Sequence, residues 1–103
     1  MANISTPGRK RSSVTIDALN EETDALLVHA GGTYYLSISG TYTGTITLQR
    51  SLDGVTFRDV EAYAATGASN TQKDVIASVS AFYRAKATAW TSGSADVDLA
   101  TSS

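Results

Sequence analysis

Along most of the chain apolar residues occupy every second position. Val14, Ile16 and Ala18 alternate with Thr15 and Asp17, and Tyr34, Leu36 and Ile38 alternate with Thr33, Tyr35, Ser37 and Ser39. The same period returns at Ile46 and Leu48, at Val75, Ala77 and Val79, at Tyr83, Ala85, Ala87 and Ala89, and at Ala95, Val97 and Leu99. A period of two is that of a half-buried strand, since successive side chains leave opposite faces of a pleat. Ala25 to His29 reads as a further strand. A short helix through residues 17–28 is the alternative there, because Glu and Leu favour helix.

Turn residues divide these runs. Gly31-Gly32 predicts a tight hairpin, and residues 40–44 a loop with glycine at both ends. Ser51-Leu52-Asp53-Gly54 is a hairpin signal, with Asp53 accepting backbone hydrogen bonds and Phe57 packing inward. Phe57, Val60 and Tyr63 break the period, which predicts a bulge near Arg58-Asp59. Residues 64–70 read as a loop of small residues, and Thr91-Ser92-Gly93-Ser94 as another turn. The sum is seven or eight strands of about 5–8 residues, the pattern of an all-β antiparallel sandwich, immunoglobulin-like or jelly-roll-like, with a small closed barrel as the rival. Parallel sheets need long crossovers that this spacing does not provide.

Composition narrows the function classes. Charged residues are only 17% of the 103 and net charge is −2, so bulk electrostatics draw the chain to neither nucleic acid nor an anionic membrane. There is no cysteine and a single histidine, His29, so disulfides, thiolate metal sites and histidine clusters are excluded. No run approaches the roughly 18 apolar residues of a membrane helix, and the N-terminus lacks the apolar stretch of a secretory signal. Residues 1–11 carry Pro7, Gly8 and the run Arg9, Lys10, Arg11 without periodicity, and are expected to form a flexible basic arm ahead of one domain spanning residues 12–103. The absence of cysteine fits synthesis in a reducing cytoplasm.

Candidate chemistry is sparse. Asp17, Glu21, Glu22 and Asp24 form an acidic cluster, but without the alternating ligand spacing and glycine of a calcium loop. Asp96 and Asp98 share a strand face, as expected of a charged solvent face that discourages edge pairing. His29 has no nucleophile motif near it, and no phosphate-binding glycine loop is present. No catalytic, cofactor or metal residues are therefore expected, and no small-molecule substrate. Candidates for partner binding are Arg9, Lys10 and Arg11, through an arm that orders on an acidic surface, and Tyr42 and Trp90, as aromatics expected to gather with Tyr35 at loop ends.

Residues 51–57 resemble the Asp-box hairpin of sialidase-type propellers, with one residue fewer between Asp53 and Gly54. Tyr83-x-Ala85-x-Ala87 resembles the Tyr-x-Cys-x-Ala of immunoglobulin-like sandwiches, with Ala85 where the cysteine would stand. Two longer segments, residues 39–54 and 83–93, resemble small virion proteins of tailed bacteriophages. There a Leu-Gln-Arg-Ser strand (here Leu48 to Ser51) precedes an Asp-Gly turn, and a Tyr-Arg strand (here Tyr83-Arg84) leads through a Thr-Ser-Gly turn. What this resemblance implies is a non-enzymatic virion component of the capsid decoration, or cement, type. Its expected partners are the major capsid protein or other virion proteins and further copies of itself, at the capsid surface. A tail or head–tail connector part, or a carbohydrate-binding module, are the alternative expectations.

Overall fold

The computed structural model describes residues 10–101. They form five strands: β1 (Lys10–Ile16), β2 (Leu26–Val28), β3 (Thr33–Ser51), β4 (Arg58–Ile76) and β5 (Ala81–Thr101). All pairings are antiparallel, in the order β1-β5-β3-β4, with β2 also on β5. No described strand joins the two ends of this order, so the barrel alternative is set aside.

Five strands, rather than seven or eight, follow from one cause. Residues 40–44, 64–70 and 91–94, expected as loops or turns, are bends inside unbroken strands. The bends lie in one row across the sheet, where Tyr42 faces Gly67 on one side and Gly93 on the other. Gly40 and Gly67 sit at φ 146° and Gly93 at φ 92°, conformations that L side chains rarely adopt. A Cβ on Gly93 would lie 2.3 Å from the carbonyl oxygen of Thr41, and one on Gly40 2.4 Å from that of Ser94. At Gly40 and Gly93 glycine is thus required both by torsion and by the close approach of neighbouring backbones, and at Gly67 by torsion alone. Register shifts between Thr43/Gly44 and Thr45/Ile46 give β5 extra residues at the bend, and such bulges increase local curvature.

Bending three paired strands together folds the sheet onto itself as a sandwich. The halves meet at the end opposite the bends, where Tyr34 of β3 stacks on Tyr83 of β5 with ring centroids 4.3 Å apart. The molecule measures 37 × 35 × 18 Å, the short dimension being that of two packed layers. Between them lie Ile16, Leu26, Val28, Leu36, Ile38, Ile46, Leu48, Val97 and Leu99, with alanines 81, 85, 87 and 95 of β5. The alternation predicted for residues 34–38 and 83–87 is observed, each inward residue being buried and its neighbours more exposed. Burying each large aliphatic side chain contributes about 1.5–3 kcal/mol.

Several local expectations change. Gly31-Gly32 does not close a hairpin, because β2 pairs with β5 and the chain crosses to the other layer before β3. That crossing is held by Gly31 N–H to Ala77 O (2.8 Å) and by Ala77 N–H to Gly32 O (2.8 Å). Residues 17–25 form no helix; they span the layers beside β5, with Asn20 N–H bonded to Ala87 O and Thr23 N–H to Ala85 O, each 2.9 Å. Val79 stands in the β4–β5 connection rather than on a strand face. The bulge expected near Arg58-Asp59 is observed at the next residue, Val60, where Leu48 pairs Glu61 and Gln49 pairs Asp59. Strand β1 begins at Lys10, inside the expected arm, while the arm's residues 1–9 lie outside the described residues.

Candidate partner-binding surfaces

The β3–β4 turn is built around one carboxylate. Asp53 accepts backbone N–H bonds from Val55 (2.8 Å) and Thr56 (2.9 Å) and the hydroxyl of Ser51 (2.8 Å), while Ser51 Oγ accepts Gly54 N–H at 2.9 Å. The N–H groups of Thr56 and Val55, then the Ser51 hydroxyl, hold the Asp53 carboxyl down to about 2. Phe57 is half-buried, with the Arg84 guanidinium 3.9 Å from its ring centroid. Arg84 is fixed in turn by Glu22 (2.8 Å) and Gln49 Oε1 (2.8 Å).

With its torsions locked, the turn projects Leu52 and Val55, 73% and 80% exposed, into solvent. At its base Arg50 and Arg58 face each other directly across β3 and β4, both exposed and neither with an ion-pair partner among the described residues. Like charges opposite each other weaken a strand pair. A groove of about 390 Å³ lies here, lined by Arg50, Asp53, Thr56, Arg58 and Val60 among others. At the same end of the sandwich Ile76, the last residue of β4, and Val79 in the β4–β5 connection are exposed. Basic and apolar groups therefore share the end opposite the bends.

The expected partner residues fare differently. Arg9 lies outside the described residues. Lys10 pairs with Thr101 as the first residue of β1. Arg11 is engaged with Asp98 through Nε (3.0 Å) and Nη2 (2.9 Å). The Ser13 hydroxyl also donates to Asp98, and together these donors hold that carboxyl below the usual range, Ser13 contributing most. Tyr42 is buried, 2% exposed, so it cannot serve as an open platform; it stacks on half-buried Trp90 with centroids 5.1 Å apart and planes 5° from parallel. The two aromatics brace the bend. Asp96 and Asp98 lie on the solvent face as expected, but β5 is flanked by β1 and β3 and is no edge.

Within the acidic cluster the Asp17 and Glu21 carboxyls stay within hydrogen-bonding reach of each other. Glu21 accepts the N–H groups of Asp17 (2.7 Å) and Ala18 (3.0 Å), and Glu22 goes to Arg84. His29 is exposed at the end of β2. Among the described residues no three His, Asp or Glu side chains converge as metal ligands. Among the described residues no helix is long and apolar enough to cross a membrane.

Arg50 and Arg58 escaped the sequence reading although a signal was present. Counting outward from a turn at residues 51–57 sets positions 50 and 58 opposite each other.

No family model matches the sequence, and no curated protein matches it. Among solved structures the chain is similar to one from Bacillus endospore appendages, described as a novel family of disulfide-linked pili. Identity is 18% over 96% of each chain, with a TM-score of 0.43.

Proposed function

We propose that this protein is a non-enzymatic structural component of a tailed-phage particle, a capsid decoration protein that binds the head surface and stiffens the shell. The observation that carries this reading is the placement of the two phage-like segments. Residues 39–54 and 83–93, far apart in sequence, are hydrogen-bonded neighbours on β3 and β5, from Thr43 opposite Ser92 to Arg50 opposite Tyr83. The resemblance thus falls on one contiguous unit that includes the bend, the Tyr42–Trp90 stack and the base of the Asp53 turn. Such a unit resists deformation, as a clamp across subunits requires.

The docking surface in this reading is the end carrying Arg50, Arg58, Leu52 and Val55, set against an acidic patch of the major capsid protein. Burying the arginine pair beside carboxylates relieves their mutual repulsion, and the apolar tips supply area. Purified protein added to heads stripped of it is expected to bind in many copies over the shell and to raise the temperature at which heads burst. Arg50→Glu/Arg58→Glu is expected to lose binding while keeping its fold. Failure of the wild-type protein to bind heads, with head stability unchanged, sinks the assignment. A single ring of label at the portal or tail in electron micrographs replaces it with a connector role. Against the carbohydrate-binding alternative stands the burial of Tyr42, although Tyr35 is exposed.

A further inference from the structure

Strand β4 is the open margin of the sandwich: it pairs with β3 along its length, and no described strand pairs with its other edge. Long free edges are rarely left unprotected, because their unpaired N–H and C=O groups template further pairing. The usual protections are proline, charge, a bulge or shortness, and β4 has them only toward its ends, in the bulge at Val60 and the charged residues Arg58, Asp59, Glu61, Lys73 and Asp74. Between Glu61 and Lys73, β4 has no charged residue and no proline, and the outward residues there, including Ala62, Ala64, Thr66, Ala68 and Asn70, are exposed. The inward-leaning residues of β4 are only partly buried. This edge has the character of an interface.

Its shape restricts what can occupy it. Because β4 bends at Gly67, its two arms lie in the two layers, and Lys73 Nζ comes within 3.8 Å of Glu61 Oε1 although both are on one strand. A straight strand can follow only one arm. To follow both, the added strand needs a matching bend at its own middle, and β4 itself has one. We infer that a second copy of this chain pairs with the first, β4 to β4, antiparallel about a twofold axis that passes through the Gly67 bend.

The bend fixes the register. Gly67 lies opposite the partner's Gly67, Thr66 opposite the partner's Ala68, and Glu61 opposite the partner's Lys73. Inward-leaning residues then face inward-leaning residues, which a one-residue slip would reverse. No like charges are opposed between residues 61 and 73. Each Glu61–Lys73 ion pair gains a second across the axis, giving four alternating charges. The interface is isologous and closes at two copies. In the dimer each layer continues into the other molecule's layer, so a stiff unit of twice the width results. This inference is independent of the phage assignment, since it is read on the protein alone.

Light scattering on the wild-type protein during size exclusion at micromolar concentration is expected to give twice the 10.8 kDa chain mass. Thr66→Lys/Ala68→Lys places four lysines about the axis on solvent-facing positions and is expected to weaken dimerisation by about tenfold or more, with an unchanged circular dichroism spectrum. As a second readout, Thr66→Cys and Ala68→Cys proteins, each clean because the chain has no cysteine, are mixed and oxidised. A disulfide-linked heterodimer is expected from the mixture, with little linkage in either protein alone. A wild-type monomer, or an open-ended polymer from β4 pairing with the β1 edge, overturns the inference. So does a dimer indifferent to the lysines, or a mixture that does not crosslink.

Discussion

Gly93 and Gly67 share a positive φ but not their surroundings, so substitution separates torsion from crowding. At Gly93 the left-handed torsion combines with a Cβ position 2.3 Å from Thr41 O and 2.6 Å from Tyr42 Cα, whereas at Gly67 nothing lies within 4 Å. Gly67→Ala is therefore expected to cost about 1–2 kcal/mol from torsion alone, and Gly93→Ala about 3 kcal/mol or more because backbone must also shift. Denaturant unfolding of the two variants checks the order, and equal losses would mean the sheet yields at the bend. Asp53 makes a prediction in pH. Its folded value of about 2 is below the ordinary carboxylate value near 3.9, so its stabilising effect is complete above about pH 4 and is lost as pH falls through about 2. Thermal midpoints of Asp53→Ala should then fall less between pH 4 and pH 2 than those of wild type. Parallel curves would show that the backbone donors do not distinguish the charged from the neutral carboxyl.

At the level of elements, the β3–β4 hairpin sets stability against binding. Arg58→Glu converts the Arg50–Arg58 opposition into an ion pair and is expected to raise stability by about 0.2–1 kcal/mol in chemical denaturation, while binding to the proposed partner falls. A loss of both would make Arg58 a folding residue. This hairpin was also the most legible part of the chain, because Ser51, Asp53 and Gly54 satisfy each other locally and need no tertiary context. The bends were illegible for the opposite reason. Gly40, Thr41, Gly44 and Ser92, Gly93, Ser94 have the chemistry of turns, and one strand taken alone gives no sign that its neighbours bend in the same row. Reading them as loops split each long strand in two and exposed Tyr42, which the bend in fact buries against Trp90. The inward faces of residues 34–38 and 83–87 were legible because alternation survives wherever a strand is straight. The free edge of β4 was hidden, since strand order is a property of pairing rather than of pattern.

On the scale of the whole molecule, the topology makes β5 the strand on which everything else depends. It carries β1 and β2 on one side and β3 on the other, and it brings the start of β1 beside its own end, with Lys10 opposite Thr101. Its last segment supplies Ala95, Val97, Leu99 and Thr101, each at most 1% exposed. The sheet therefore cannot close until nearly the whole chain is present, and loop closure over that span must precede the reward of burial. Two consequences follow together. Refolding is expected on the millisecond-to-second scale of sheet proteins dominated by distant pairings rather than in microseconds, with Trp90 fluorescence reporting closure of the bend. A chain ending at Ser94 should remain unfolded, because β1 loses its partner and the layer around Leu36 and Ile38 loses the residues that cover it. A cooperative thermal transition in that truncated chain would mean that β2, β3, β4 and the first half of β5 form a stable core by themselves. The closing role assigned to residues 95–101 would then fall.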